Sequence, residues 1–596
     1  MTEGGVGAEP QETIERAWVL LRENQPPRQV LALLADISPG DSRFAKAQHI
    51  RGICAARQGD HRRAMDLSLD AIRHGEQSDG VWLNLARSAV AVGMPDEPLA
   101  LLRDLLARIS TPQLYPFATQ LMRVLDFANK EPHPGKDLAF DTLLLPVLAE
   151  LLKRRDMDKA MAFESLLYEF HVKATETEAH FARCMEGIAP LFAEAAHAWR
   201  RELPPPPQPE MTPPYKVGFF IHNATMLAHI EVLLNTLKGY RMLDEQPFEP
   251  TVYCFSGKSP PMELALAQLG VRLVMLNERF PETRESSWGR ILRLRELLSE
   301  EGVQELVWVS LVTMLPLAFG LRIAPVQTWW AMKYRNFSSD DIDGYVSGSA
   351  LTRYGMLGGR RWRMAMLGVD DWYDASLEAQ ALDIRSSLKD QVVVATLART
   401  EKMGDPAYLD SLTAILKAHP QVLFLWAGRE EKAEVVQAFK AAGVHDRTRF
   451  IGWVNTRLYA QVADIFLDTF PFPCGFTLFQ AMAAGKPVVL YDSAEAAQTG
   501  LWNFLKPLVD GDEGTPEERE ELRSIIGDAE NPLISVARTP ADYVRHVGRL
   551  IENIDARSAA GDASRRFIER YFSDPRAMAA SYARHFVELI EQGGPS

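Results

Sequence analysis

The chain has 596 residues, with 65 Lys and Arg against 79 Asp and Glu for a formal net charge of -14, and four cysteines. That length exceeds what one hydrophobic core organises, so several domains are expected. The acidic balance excludes a general binder of nucleic-acid backbones, whose affinity comes from clustered Lys and Arg; Cys54, Cys184, Cys254 and Cys474 lack paired spacing, which excludes a disulfide framework or a zinc site as the organising device.

The polar, acidic opening MTEGGVGAEPQET lacks the basic and apolar regions of a signal peptide, and no later run reaches the ~20 apolar residues of a membrane span. A cytoplasmic protein without a membrane span is expected, with residues 1–11 as a disordered tail. Residues 12–200 read as an all-α domain. Its signature is an echo of about 34 residues, in which Gly59 recurs as Gly93, Gly52 as Ala86 and Ala55 as Ala89. Such a period predicts stacked helical hairpins over 45–78 and 79–112, with 12–44 as a degenerate unit and 113–200 helical without a clear period. The small residues let paired helices approach, Trp82 and Leu85 fill the groove between them, and Ala64 and Ala71 sit where the next helix packs. The pattern resembles the tetratricopeptide repeat, and that resemblance implies a concave face that recruits a protein partner; a stack that only stabilises the chain is the alternative.

Residues 201–214, with Pro204 to Pro207 and Pro213–Pro214, read as a stiff extended linker. Then follow strand-type apolar runs: KVGFFI at 216–221, TVYCF at 251–255, VRLVML at 271–276, ELVWVS at 305–310, DGYVSG at 343–348, VVVATL at 392–397, VLFLWAG at 422–428, IFLDTF at 465–470 and PVVLYD at 487–492. Helical patterns lie between most of them. Alternation of this kind predicts parallel sheets covered on both faces, here two α/β lobes at 215–375 and 376–575, joined through 371–390, with a final helix at 576–596 crossing back to the first lobe.

Ligands of doubly wound sheets sit outside the carboxyl ends of the strands, so the loops after the strands carry the chemistry. Arg399 and Lys402 follow VVVATL, and two cations there are suited to neutralise a diphosphate. The segment Asp468 to Thr477 leads from a buried strand through a tight turn into a helix beginning near Leu478. Gly475 permits close backbone approach, and Thr477 suits an N-cap or a hydrogen bond to phosphate. In the first lobe, His229 and, as runner-up, His222 stand after the opening strand, where a histidine can take a proton from an acceptor hydroxyl near neutral pH. Asp340, Asp341 and Asp343 read as a turn entering a strand, without a convergent set of metal ligands, and Trp329, Trp330 and Trp362 as core or as a sugar-stacking surface.

Three blocks are together specific: APVQTWW with DIDGYVSG, ARTEKMGDPAYLDSLTAILKAHPQVLFLWAG, and RFIGWVNTRLYAQVADIFLDTFPFPCGFTLFQAMAAGKPVV. With them, residues 216–492 resemble the catalytic region of the O-GlcNAc transferase and bacterial protein N-glycosyltransferase family, which has the GT-B fold. The resemblance implies a multidomain enzyme with a helical repeat domain and two Rossmann-like lobes, inverting at the anomeric carbon and needing no metal or other cofactor. It also implies a nucleotide sugar on the second lobe and an acceptor approaching from the first. Lys402 would contact the diphosphate, Thr477 and nearby amides the phosphates, Gln327 would lie at the lobe interface near the sugar, and Trp453 and Asn455 would flank base and ribose. Gly475-Phe476-Thr477 followed by Gln480 replaces the family's His-Thr-Thr or Asn-Thr-Asn and acid. Gln480 can bond a ribose hydroxyl but supplies no carboxylate, so UDP-GlcNAc or UDP-glucose stands first and other sugar nucleotides, CMP-linked ones included, stay open. The expected function is transfer to a Ser, Thr or Asn side chain of a protein such as a bacterial surface or flagellar protein. The alternatives are a catalytically silent adaptor and a transferase for a small-molecule or lipid-linked glycan. The sequence fixes no oligomeric state.

Overall fold

The computed structural model describes residues 10–92, 111–128, 140–168, 178–205, 209–332, 335–349, 352–388, 390–492, 501–509, 515–527 and 532–593. The start of the expected tail, the second half of the 79–112 repeat and part of the proline run lie outside them. The chain divides into two compact units, 1–175 with 183–195, and 176–182 with 196–596.

The first unit is helical. Helices Phe44–Arg57 and His61–Arg73 form a hairpin, and Asp79–Ala91 packs on the second of them. Asp60 caps the second helix by accepting from the Arg63 amide, and Gly59 before it takes the left-handed φ of +81° that the turn requires. A Cβ at Gly52 would stand 3.1 Å from Asn84 Nδ2 and 3.2 Å from Ser68 Oγ, so the small residue is what lets three helices meet. Asn84 donates to Ser68 Oγ at 2.8 Å across that contact. Trp82, Leu85, Ala64 and Ala71 are all buried.

The second unit holds two sheets. The first is built from β1 (Tyr215–Asn223), β2 (Phe248–Ser256), β3 (Arg272–Met275), β4 (Glu305–Val309), β5 (Val326–Ala331), β6 (Gly344–Ser349), β7 (Arg353–Leu357) and β8 (Arg360–Met366) in the order β3-β2-β1-β4-β5-β6-β8-β7. All neighbours are parallel except β7 with β8. That hairpin turns on Gly358 and Gly359, both at positive φ, the conformation a two-residue turn between twisted strands needs. β4 and β5 are buried at every residue, as strands covered on both faces must be. The second sheet comprises β9 (Val392–Leu397), β10 (Val422–Ala427), β11 (Thr448–Phe450), β12 (Ile465–Leu467), β13 (Val488–Tyr491) and β14 (Ser535–Ala537) in the order β11-β10-β9-β12-β13-β14. All its described pairings are parallel.

In both sheets the order runs out from the first strand one way and then the other. The reversal falls between β1 and β4 and between β9 and β12. Such a switch point opens a crevice at the carboxyl ends, the usual ligand seat. The final helix, Pro575–Glu591, packs on the first sheet: Met578, Tyr582, Phe586 and Ile590 join its core. Trp329, Trp330 and Trp362 are buried in the first lobe, so they form core and not a sugar-stacking surface.

Candidate functional site: the crevice at the carboxyl ends of the second sheet

Two loops meet at the β9–β12 switch point. After β9 the chain turns through Thr400–Met403, and the Thr400 hydroxyl ties the turn to the carbonyl of Glu430 at 3.0 Å. This sets Lys402 against the loop after β12, where its ammonium donates to the carbonyl of Pro473. The second loop is knotted by its own polar groups. Asp468 accepts from the amides of Thr469 and Cys474, and the Thr469 hydroxyl donates to the carbonyl of Phe472. Burial pushes the Asp468 carboxyl up to about 7 against the opposing pull of those amides and of Lys402.

The loop delivers the chain into the helix Phe476–Ala483, whose N-cap Gly475 offers no side chain to the first amides. Those amides are therefore left without a side-chain cap, as an anion-binding helix start requires. Gly475 is exposed, and a Cβ there would touch nothing within 4 Å. Thr477 is half-buried in the first turn. One turn deeper Gln480 is buried, and its amide oxygen has no partner among the described residues. An unpartnered buried acceptor is costly; a hydroxyl donor from a ligand would satisfy it.

Trp453 follows β11 and is 69% exposed, with the Arg429 guanidinium 5.5 Å from its ring centre. A flat aromatic held out at the sheet edge is suited to stack on a base. Asn455 is exposed, and its side-chain oxygen is spent capping the helix Thr456–Val462 through the amides of Arg457 and Leu458. Arg399 caps the short turn before Lys402 and is half-buried.

In the first lobe His222 is the next-to-last residue of β1 and stacks on Phe255 at 5.4 Å, and His229 lies in the first turn of the helix Ala228–Arg241. Burial, and then the proximity of His222, holds His229 down to about 4. Burial and the nearby Arg290 guanidinium also lower His222. Both imidazoles are therefore neutral at pH 7, the form that accepts a proton, though His229 in the unliganded protein is a weaker base than an unperturbed histidine.

Gln327 does not lie at the lobe interface. It sits near the amino end of β5, fully buried, accepting from the amides of Ile323 and Ala324 and donating to the carbonyls of Phe319 and Asp341. Its hydrogen-bonding capacity is consumed in bracing the first lobe. Asp343 pairs with Arg322 at 2.6 Å, Asp341 with His197 at 3.0 Å, and Asp340 with Arg360. No cluster able to hold a metal ion is found among the described residues.

Sequence reasoning missed a contact between the lobes. Arg457 donates to the carbonyl and carboxylate of Asp371, at 2.9 and 3.1 Å, and stands 3.7 Å from Glu231 on the first-lobe helix. Glu231 is two residues past His229, and one of its oxygens is buried without a hydrogen bond. The i,i+2 placement of a carboxylate beside a candidate base was readable, but its partner lies more than two hundred residues along the chain.

Residues 390–513 match the family model described as Glycosyl transferases group 1. No curated protein matches the chain. Among solved structures, a mutant O-GlcNAc transferase of Thermobaculum terrenum aligns over 99% of both chains at 17% identity with a TM-score of 0.51. An Anabaena protein solved with UDP and glucose aligns over 63% of this chain and 100% of its own, at 14% identity and a TM-score of 0.43. The chain therefore has the fold of that O-GlcNAc transferase structure. Within the second lobe, residues 390–513 form a glycosyl transferases group 1 domain, following a helical N-terminal region.

Proposed function

We propose that the protein transfers a sugar from a nucleotide sugar, UDP-linked first of all, to a hydroxyl or amide of a protein side chain. The observation that carries the donor half is the convergence, at one switch point, of Lys402, the uncapped amides after Gly475 and the orphaned oxygen of Gln480. The diphosphate would take the place of the Pro473 carbonyl as partner of Lys402, with its oxygens on the helix amides. Gln480 would accept from a ribose hydroxyl, and Trp453 would cover the base.

The acceptor oxygen or nitrogen attacks the anomeric carbon from the first-lobe side as the bond to the diphosphate breaks, giving inversion. The acceptor proton passes to a first-lobe base, His229 before His222, and the negative charge gathering on the leaving nucleotide falls on Lys402 and the amides. No metal is required by this arrangement of fixed charges. The helical unit supports a protein acceptor, since stacked hairpins offer an extended surface of the kind that recruits chains.

The test is mass spectrometry of a cognate cell extract incubated with the purified protein and UDP-GlcNAc or UDP-glucose. A hexosamine or hexose increment on a protein, absent with Lys402→Ala, supports transfer to protein. An increment found only on small molecules or lipid-linked glycan would replace the acceptor, and release of no nucleotide with any donor would leave an adaptor.

A further inference from the structure

A second cavity lies at the amino ends of β12 and β13, the end of the second sheet opposite the donor crevice. It measures about 850 Å³, within the range of pockets that hold a metabolite. Its walls are the helix Glu378–Ser386, the end of the helix Phe476–Ala483, the helix Ile554–Tyr571, and residues just ahead of β12 and β13. Asp370, Trp372, Tyr373 and Ser573 also line it, and these come from the two stretches by which the chain crosses between the lobes. The crossings are bonded to each other, the Val369 amide and the Trp372 indole both donating to the carbonyl of Phe572 at 3.0 and 2.7 Å.

The charges facing the cavity are unevenly spent. Arg385 is committed to Asp464 at 2.8 Å and to the carbonyls of Leu388 and Gln391. Asp370 is committed to Lys238 at 2.7 Å, and Glu378 accepts from the Tyr373 hydroxyl at 2.6 Å. Glu569 is exposed at the rim. The side chains of Lys486 and Arg565 make no ion pair or hydrogen bond with any described residue, although both line the cavity. The Arg565 guanidinium lies against Gly485, where a Cβ would stand 2.4 Å from it. Burial depresses the Lys486 ammonium, and the guanidiniums of Arg385 and Arg565 oppose its charge further against the pull of Asp464. Two neighbouring cations whose side chains form no ion pair, lining one cavity, are a site for an anion.

We infer that this cavity is a second ligand site for a small phosphate-bearing metabolite, its phosphate held by Lys486 and Arg565 and its hydroxyls facing Tyr373 and Gln461. Because both inter-lobe crossings line it, an occupant there touches the hinge without entering the donor crevice.

The experiment is calorimetric titration of the full chain with glucose 6-phosphate, with glucose as the uncharged control. Saturable binding that Arg565→Gln and Lys486→Met each weaken by about tenfold or more, that Lys402→Ala leaves intact and that UDP does not displace, supports the site. Arg565 is exposed, so its substitution tests the site even if Lys486→Met misfolds. No saturable binding, equal affinity in Arg565→Gln, equal binding of glucose, or loss of binding in Lys402→Ala would each overturn it.

Discussion

At Glu305 the first lobe buries a carboxyl completely, with Thr328 donating to one oxygen and the other unpartnered. Burial drives this group up to about 8. The folded state therefore prefers the protonated acid, and its contribution is whole below the ordinary carboxylate range near 4.5 and is lost as pH rises toward 8. Stability should fall across that window by on the order of a few kcal/mol and level off above it. Chemical denaturation of Glu305→Gln should show a flatter profile between pH 5 and pH 8 (roughly the window defined by the two pKa values); an unchanged slope would mean that another group titrates. For His229, already neutral at pH 7, replacement by Asn should lower kcat by about a hundredfold or more while donor affinity stays unchanged in calorimetry. Equal loss of donor binding would make it a binding residue instead. Residue types at strand ends were readable from the sequence, and Lys402 does meet the loop that leads through Gly475 into the helix carrying Thr477 and Gln480. Gln327 was placed by the resemblance alone; as the second residue of VQTWWA, just after Pro325, it stands at the amino end of its strand, away from the carboxyl ends where ligands sit.

The helix Phe476–Ala483 and the loop before it are the element on which the proposed donor binding turns. A side chain at position 475 would meet no protein atom but would stand before the uncapped amides. Gly475→Val should therefore weaken nucleotide binding by about tenfold or more with the melting temperature unchanged; a matching loss of stability would show that the glycine serves the fold. The C-terminal helix is held by a different glycine. A Cβ at Gly239 would come within 1.9 Å of the Pro575 carbonyl, so Gly239→Ala should destabilise the first lobe by about 1–3 kcal/mol in denaturant melts. Most of the long apolar strands were legible as apolar runs, but β5 was not read as a strand although it is buried at every residue. β11 and β14, each three residues, were missed because so short a run has no period. β7, at the sheet edge, and β8 beside it were missed because they mix Arg with apolar residues, although the Gly358–Gly359 pair signalled the turn.

On the scale of the whole chain, the helical unit and the two-sheet unit divide the work that the account assigns to acceptor and donor. Deleting residues 1–175 should leave nucleotide affinity within about threefold of the intact protein and abolish modification of the protein acceptor. Retained modification of the same protein would remove the recruiting role. The two-lobed class was legible in the alternation of strands and helices, whereas the link from Arg457 to Glu231 and Asp371 was not, since it joins distant segments only after both lobes have folded. The account rests most directly on the donor crevice. Calorimetry of the purified chain against UDP, UDP-GlcNAc, UDP-glucose and GDP- and CMP-sugars, repeated with Lys402→Ala, tests it. The account predicts saturable binding of one nucleotide class, strongest for UDP, that the substitution abolishes. Binding that survives Lys402→Ala, or no binding of any nucleotide, would contradict it.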